Sequence, residues 1–163
     1  MALTQDVKTV RYGVGGNASQ PVYIPAIGAS TTVYGGSICI TDSNGYIKNA
    51  SSASSTDTCW GLVHAQTKNS STAPVTTGQI LDINGRPFQV DTGSFYVNAG
   101  TGGDALTEAS LGKTVYVINE TTVGATSSSN TRPVAGILID IDLTQPGGYA
   151  VKFGSSQSTG APQ

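Results

Sequence analysis

Ala105-Leu-Thr-Glu-Ala-Ser-Leu-Gly-Lys-Thr-Val-Tyr-Val-Ile118, Arg132-Pro-Val-Ala-Gly-Ile-Leu-Ile-Asp-Ile-Asp142 and Gly147-Gly-Tyr-Ala-Val-Lys-Phe153 set the fold class of this chain. Each block carries a β pattern and ends in turn residues. Val115 and Val117 alternate with Tyr116 and Ile118, so both faces are apolar. A strand of that kind is expected to be buried on both sides, inside a barrel or against a neighbour. Ile137, Ile139, Ile141 and Leu143 alternate with Leu138, Asp140 and Asp142, which predicts a half-buried antiparallel strand with the isoleucines inward. Tyr149, Val151 and Phe153 repeat the alternation. Between these blocks, Ala105 to Leu111 fits one helical turn, stopped by Gly112 just past its end.

Working toward the N-terminus, the same grammar recurs. Gly36-Ser-Ile-Cys-Ile-Thr41, Asp42-Ser-Asn-Gly45 and Tyr46-Ile-Lys48 read as strand, turn and return strand, because Asn-Gly between apolar runs is the strongest short-range hairpin signal. Gln79 to Val90, with Asn84-Gly85 at its centre, reads as a second hairpin. Thr58 to Ala65 is a strand that puts Trp60, Leu62 and His64 on one face and Cys59, Gly61 and Val63 on the other. Trp60, the one tryptophan, is expected to anchor the core. Pro21 to Ile27 alternates, but prolines at 21 and 25 cannot donate to a ladder, so it belongs at a sheet edge. Asn49 to Thr56 and Gln66 to Thr77 are polar and read as loops. Within residues 1–20, alternation from Val7 to Tyr12 fits a short strand, and Gly13-Val-Gly-Gly16 follows it as a bend.

No segment keeps a helical period, and many short strands between polar turns indicate an all-β chain. The expected architecture is a compact antiparallel β-barrel or sandwich with an extended N-terminal arm (residues 1–20), a β domain (21–154), a flexible C-terminal tail (155–163) and at most one short helix. At 163 residues one domain is expected.

Composition narrows function. Charged residues make up 11% of the chain, under half of the usual ~25%, and the net charge is −2. Such a chain lacks the basic footprint that nucleic acid or an anionic membrane selects. The start of the chain has neither the basic nor the apolar region of a signal peptide, and no apolar run approaches the ~20 residues that span a bilayer. Synthesis in a cytosol is expected, and the four Asn-x-Ser/Thr sites are then incidental.

Candidate chemistry is sparse. Asp140 and Asp142 share one strand face, but metal sites need more converging oxygens than two. His64 is the one histidine, and no Gly-x-Ser-x-Gly elbow accompanies it. Cys39 and Cys59 lack zinc spacing and are expected to be free buried thiols. Gly13-Val-Gly-Gly16 lacks the following helix that a dinucleotide fingerprint requires. The sequence therefore points to no enzyme, no catalytic residue, no metal and no cofactor.

The order of pieces in the C-terminal block resembles tailed-bacteriophage capsid decoration (head cement) proteins. The similar pieces are Ala105 to Val117, the turn Asn119-Glu-Thr-Thr-Val123, Asn130-Thr-Arg-Pro-Val-Ala-Gly136 and Ile137 to Asp142. Gly13 to Ser19 followed by a Pro-led strand, and Trp60-Gly-Leu-Val63, extend the likeness to most of the chain. The resemblance implies a homotrimer on the outer capsid surface of a virion, made in the bacterial host cytoplasm. Its partners would be the major capsid protein and itself, with no nucleic acid and no membrane. By the same likeness the arm would bind the capsid, with Leu3, Val7, Val10 and Tyr12 as its contact residues. Two other classes remain open on the residues alone: a tail-tube or baseplate subunit, and a glycan- or receptor-binding β module.

Overall fold

A computed structural model describes residues 3, 5–6, 10–11, 21–22, 24, 26–76, 78 and 80–153. In chain order the strands are β1 (Val10–Arg11), β2 (Pro21–Val22), β3 (Thr31–Val33), β4 (Ile38–Thr41), β5 (Ile47–Lys48), β6 (Thr58–Val63), β7 (Thr67–Asn69), β8 (Val90–Asp91), β9 (Gly93–Ala99), β10 (Thr114–Val117), β11 (Thr122–Gly124), β12 (Val134–Ile141) and β13 (Tyr149–Phe153). Among the described residues, helix is confined to single 3-10 turns at Ala50–Ser52, Gly102–Asp104 and Glu108–Ser110. The last of these falls inside the expected helical turn, and Gly112 follows it with φ +76°.

The C-terminal strands close on themselves. Pairing runs β9-β11-β10-β12-β13 and returns to β9, giving a five-stranded barrel. Its seams are antiparallel except β9–β11, which is parallel. A ring with an odd number of strands cannot alternate direction all the way round, so at least one parallel seam is unavoidable. Val115, Val117, Val123, Leu138, Val151 and Phe153 fill the interior. The alternation at 115–118 survives intact: Val115 and Val117 are fully buried, Tyr116 and Ile118 half-buried.

A second sheet, β2-β8-β6-β4-β5, lies against the barrel, and β3–β7 forms a separate two-stranded ladder. The second sheet is apolar on both faces. Ile38, Ile40, Cys59 and Leu62 join the barrel core. Cys39, Ile47, Val63 and Val90 join another core with Ile24, Ile27, Val33, Ile80 and Phe88. The short strand β4 is thus buried at every residue. As expected from its prolines, β2 sits at the sheet edge.

Three β-bulges overturn the expected strand faces. In β6, Cys39 is opposite Gly61 and Ile40 opposite Cys59, so Trp60 is the extra residue. A bulge reverses alternation beyond it. Cys59 and Leu62 therefore share the barrel side, while Trp60 and Val63 pack in the second core. Half-buried Trp60 donates its indole N–H to Thr41 Oγ1 at 2.9 Å. Gly61 permits this, with φ +149° and no room for a Cβ against the Asp91 backbone. In β12, Ala135 and Ile139 are each extra residues. The inward set becomes Ala135, Leu138 and Ile141, spaced by three. Of the expected face, Ile141 alone packs against the barrel core; Ile137 and Ile139 are left half-buried outside it and Leu143 is 73% exposed.

The polar segments are more ordered than their composition suggests. Residues 67–69, expected as loop, form β7 because Thr67 and Asn69 are buried with their polar groups satisfied. Thr67 Oγ1 donates to the Leu81 carbonyl (2.7 Å), and Asn69 Nδ2 donates to the carbonyls of Gly28 and Ala73 (2.8 and 2.9 Å). In 49–57, buried Asp57 accepts from Lys48 Nζ (2.9 Å) and the Ser54 N–H (2.7 Å). The two Asn-Gly turns share one design: Oδ1 of Asp42 or Asp82 accepts the N–H groups two and four residues on. The first joins β4 to β5 as expected. The second closes a hairpin reduced to one bridge, Leu81 with Pro87.

Candidate functional site

The expected binding element is the N-terminal arm, and its described residues touch three parts of the body. The Leu3 N–H donates to Glu120 Oε1 at 3.4 Å. Glu120 is a buried carboxylate in the β10–β11 turn, and its carbonyl accepts the Ile38 N–H of the central sheet at 2.7 Å. Asp6 Oδ1 accepts the Gly35 N–H, in the turn before β4, at 2.7 Å. Val10 and Arg11 then pair antiparallel with Tyr96 and Phe95 of β9. The arm therefore crosses from barrel to central sheet and back to barrel. Val7 and Tyr12 lie outside the described residues, as does the expected tail.

The place where β1 docks follows from barrel closure. One edge of β9 pairs with β13 from Gly93 to Val97. Along its other edge β11 reaches only Asn98 and Ala99. The arm takes the stretch that β11 leaves, at Phe95 and Tyr96. Alternation at 7–12 signalled the strand. Its partner, and the carboxylates of Asp6 and Glu120, carried no sequence signal that sets them apart from solvated acids.

The other candidate residues do not converge. His64 Nδ1 lies 3.0 Å from Asp91 Oδ2, joining the ends of β6 and β8 at the surface. Asp140 Oδ2 accepts from the Tyr96 hydroxyl at 3.4 Å, whereas Asp142 Oδ1 accepts from the Thr144 N–H (3.0 Å) and hydroxyl (2.6 Å). The two acids thus serve different partners. Among the described residues no group of three or more His, Cys, Asp or Glu side chains could hold a metal ion. No helix among them is long and apolar enough to cross a membrane.

Cys39 and Cys59 are free thiols in different cores. Burial pushes both up, Cys59 to about 12 and Cys39 further. Since the thiolate is the reactive form, neither should react with a colorimetric disulfide reagent at pH 8 in the native protein. Both should react once the chain is unfolded in denaturant, and a fast native reaction would show that a core opens.

Asp104 ties the 102–104 turn to the loop after β11. It accepts from the Thr126 hydroxyl (2.6 Å) and Arg132 Nη1 (2.8 Å), and these bonds hold its carboxyl below the usual carboxylate range. The Arg86 N–H does the same first for Asp82, and the Thr144 hydroxyl for Asp142. A depressed folded pKa stabilises above the unfolded value near ~4 and is lost as pH falls through the folded one, because the unfolded state then binds more protons. Stability from urea melts should drop from pH 5 downward, less steeply in Asp104→Asn. An unchanged slope in that variant would remove Asp104 from the acid response.

The chain matches no known family model, no curated protein and no solved structure.

Proposed function

We propose that this chain is a capsid decoration protein. It would bind the outer surface of a bacteriophage shell as a homotrimer and stabilise it against internal DNA pressure, without catalysis. The observation that carries this reading is the combination of a two-core β body, one part a closed barrel, with N-terminal residues 3, 6 and 10–11 bonded to it. The ordered resemblance of residues 105–142 to decoration proteins supplies the family. A packaged genome pushes a thin shell outward. A rigid body bridging neighbouring capsomers adds buried area where they separate. Three linked copies bind with raised effective concentration, so weak individual contacts hold firmly. A chain with 11% charged residues has few ions to desolvate on contact. An extended arm contributes main-chain hydrogen bonds that need no charge.

The test mixes purified protein with shells lacking it, then measures co-sedimentation and the temperature of DNA release. Saturable binding and later release are expected. Absence of both would overturn the proposal. Light scattering distinguishes a trimer from the rings or tubes of a tail component.

A further inference from the structure

We infer that the β9 edge at Phe95–Tyr96 is a strand-exchange site, taken in the assembled oligomer by residues 10–11 of a neighbouring copy. The inference rests on the self-association proposed above and names the contact that would join the copies.

The site exists because of the barrel's topology. The β11 strand leaves β9 after Asn98, and β1 supplies the ladder partner for the next stretch. Every anchor of the arm seen here is present in each copy: the main chain of β9, the Glu120 carboxylate and the Gly35 N–H. Moving the arm to a neighbour remakes the same bonds, so exchange costs little enthalpy, as in domain swapping. The strand to be moved is only two residues long.

Chain length allows the transfer. Residues 12–20 join β1 to β2 and extend to at most about 30 Å at 3.3–3.6 Å per residue. A domain of this size has a radius of gyration of about 15 Å. The connection can therefore cross a close interface between copies. Exchange would also explain how a weakly charged body holds its copies together: each arm contributes backbone pairing across the interface, which needs no ion pair.

The test places one thiol on each side of the Val10↔Tyr96 pair. Opposed residues of an antiparallel pair have Cβ atoms roughly 4.5–5.5 Å apart, within reach of a short bis-maleimide. Tagged full-length Val10→Cys is co-expressed with untagged Tyr96→Cys, and the purified mixture is cross-linked. A covalent species of twice the chain mass is expected. The double variant Val10→Cys/Tyr96→Cys separates the alternatives. If it cross-links within single chains while the mixture gives no dimer, the arm stays on its own body and the inference fails. Should Tyr96→Cys fold poorly, a benzophenone amino acid at position 96 keeps an aromatic ring there. Chains labelled with light and heavy nitrogen are then mixed, and mixed-isotope cross-linked peptides report exchange, while unmixed ones overturn it. A trimer by light scattering with only within-chain cross-links defeats the exchange and leaves the shell-binding proposal standing.

Discussion

Gly136→Ala should cost the fold about 3 kcal/mol or more, at or beyond the upper end of what overpacking usually does. Gly136 lies in β12 between the two bulges, opposite Val115 on one side and Phe153 on the other. A Cβ there would run into the Lys152 carbonyl oxygen, with its carbonyl carbon at 2.9 Å and Val151 Cγ1 at 3.1 Å. The first two obstacles are backbone atoms of β13, which cannot rotate away. In an open sheet β13 could shift. Here β13 is also paired with β9 from Gly93 to Val97, so moving it strains a second seam of the ring. Natural domains hold only about 5–15 kcal/mol in reserve, so the variant is expected to unfold at markedly lower urea. Gly103→Ala is the control: its Cβ would meet nothing within 4 Å, and a change within about 0.5 kcal/mol is expected. Equal midpoints for the two variants, read by far-ultraviolet circular dichroism, would show that β12 and β13 do not approach as described.

Such positions explain what the sequence could and could not reveal. Period-two alternation identified the barrel walls at Val115/Val117 and Val151/Phe153, because the extra residues of both barrel bulges lie in β12 and leave the alternation of β10 and β13 unbroken. It failed in β12 and β6 for one reason. A bulge inserts one residue, and nothing in Ala135, Ile139 or Trp60 distinguishes an extra residue from a paired one. Gly61 and Gly136 left a trace, each a glycine inside an apolar run beside the extra residue. The strand β7 was hidden because its inward residues are Thr67 and Asn69, whose burial depends on acceptors at 28, 73 and 81. The arm was legible as an alternating segment after Val7. Its seat on β9 was not, since that seat depends on where β11 stops, more than a hundred residues away in sequence.

Phe88→Ala should be the most damaging truncation outside the barrel. Phe88 is 2% exposed and among the largest fully buried side chains. It packs with Ile24, Ile27, Val33, Ile80 and Val90 in the second core. Loss of a buried phenylalanine typically costs about 3–5 kcal/mol, the removed contacts plus the cavity left behind. At about 2–4 °C per kcal/mol for a chain of this length, the melting temperature should fall by roughly 6–20 °C. How it falls matters as much as how far. The two cores share the central sheet, and β4 sends Ile38 and Ile40 to one and Cys39 to the other. Neither can dissolve without exposing the back of the other, so unfolding should remain a single transition. Trp60 fluorescence reports the second core, and near-ultraviolet circular dichroism of the tyrosines, Tyr96 and Tyr149 among them, gives a signal from the barrel. Coincident curves in Phe88→Ala, shifted together to lower temperature, are the expected result. If the Trp60 signal melts first, the second core is a separate unit, and the body could not transmit load between an arm and a shell as one rigid block.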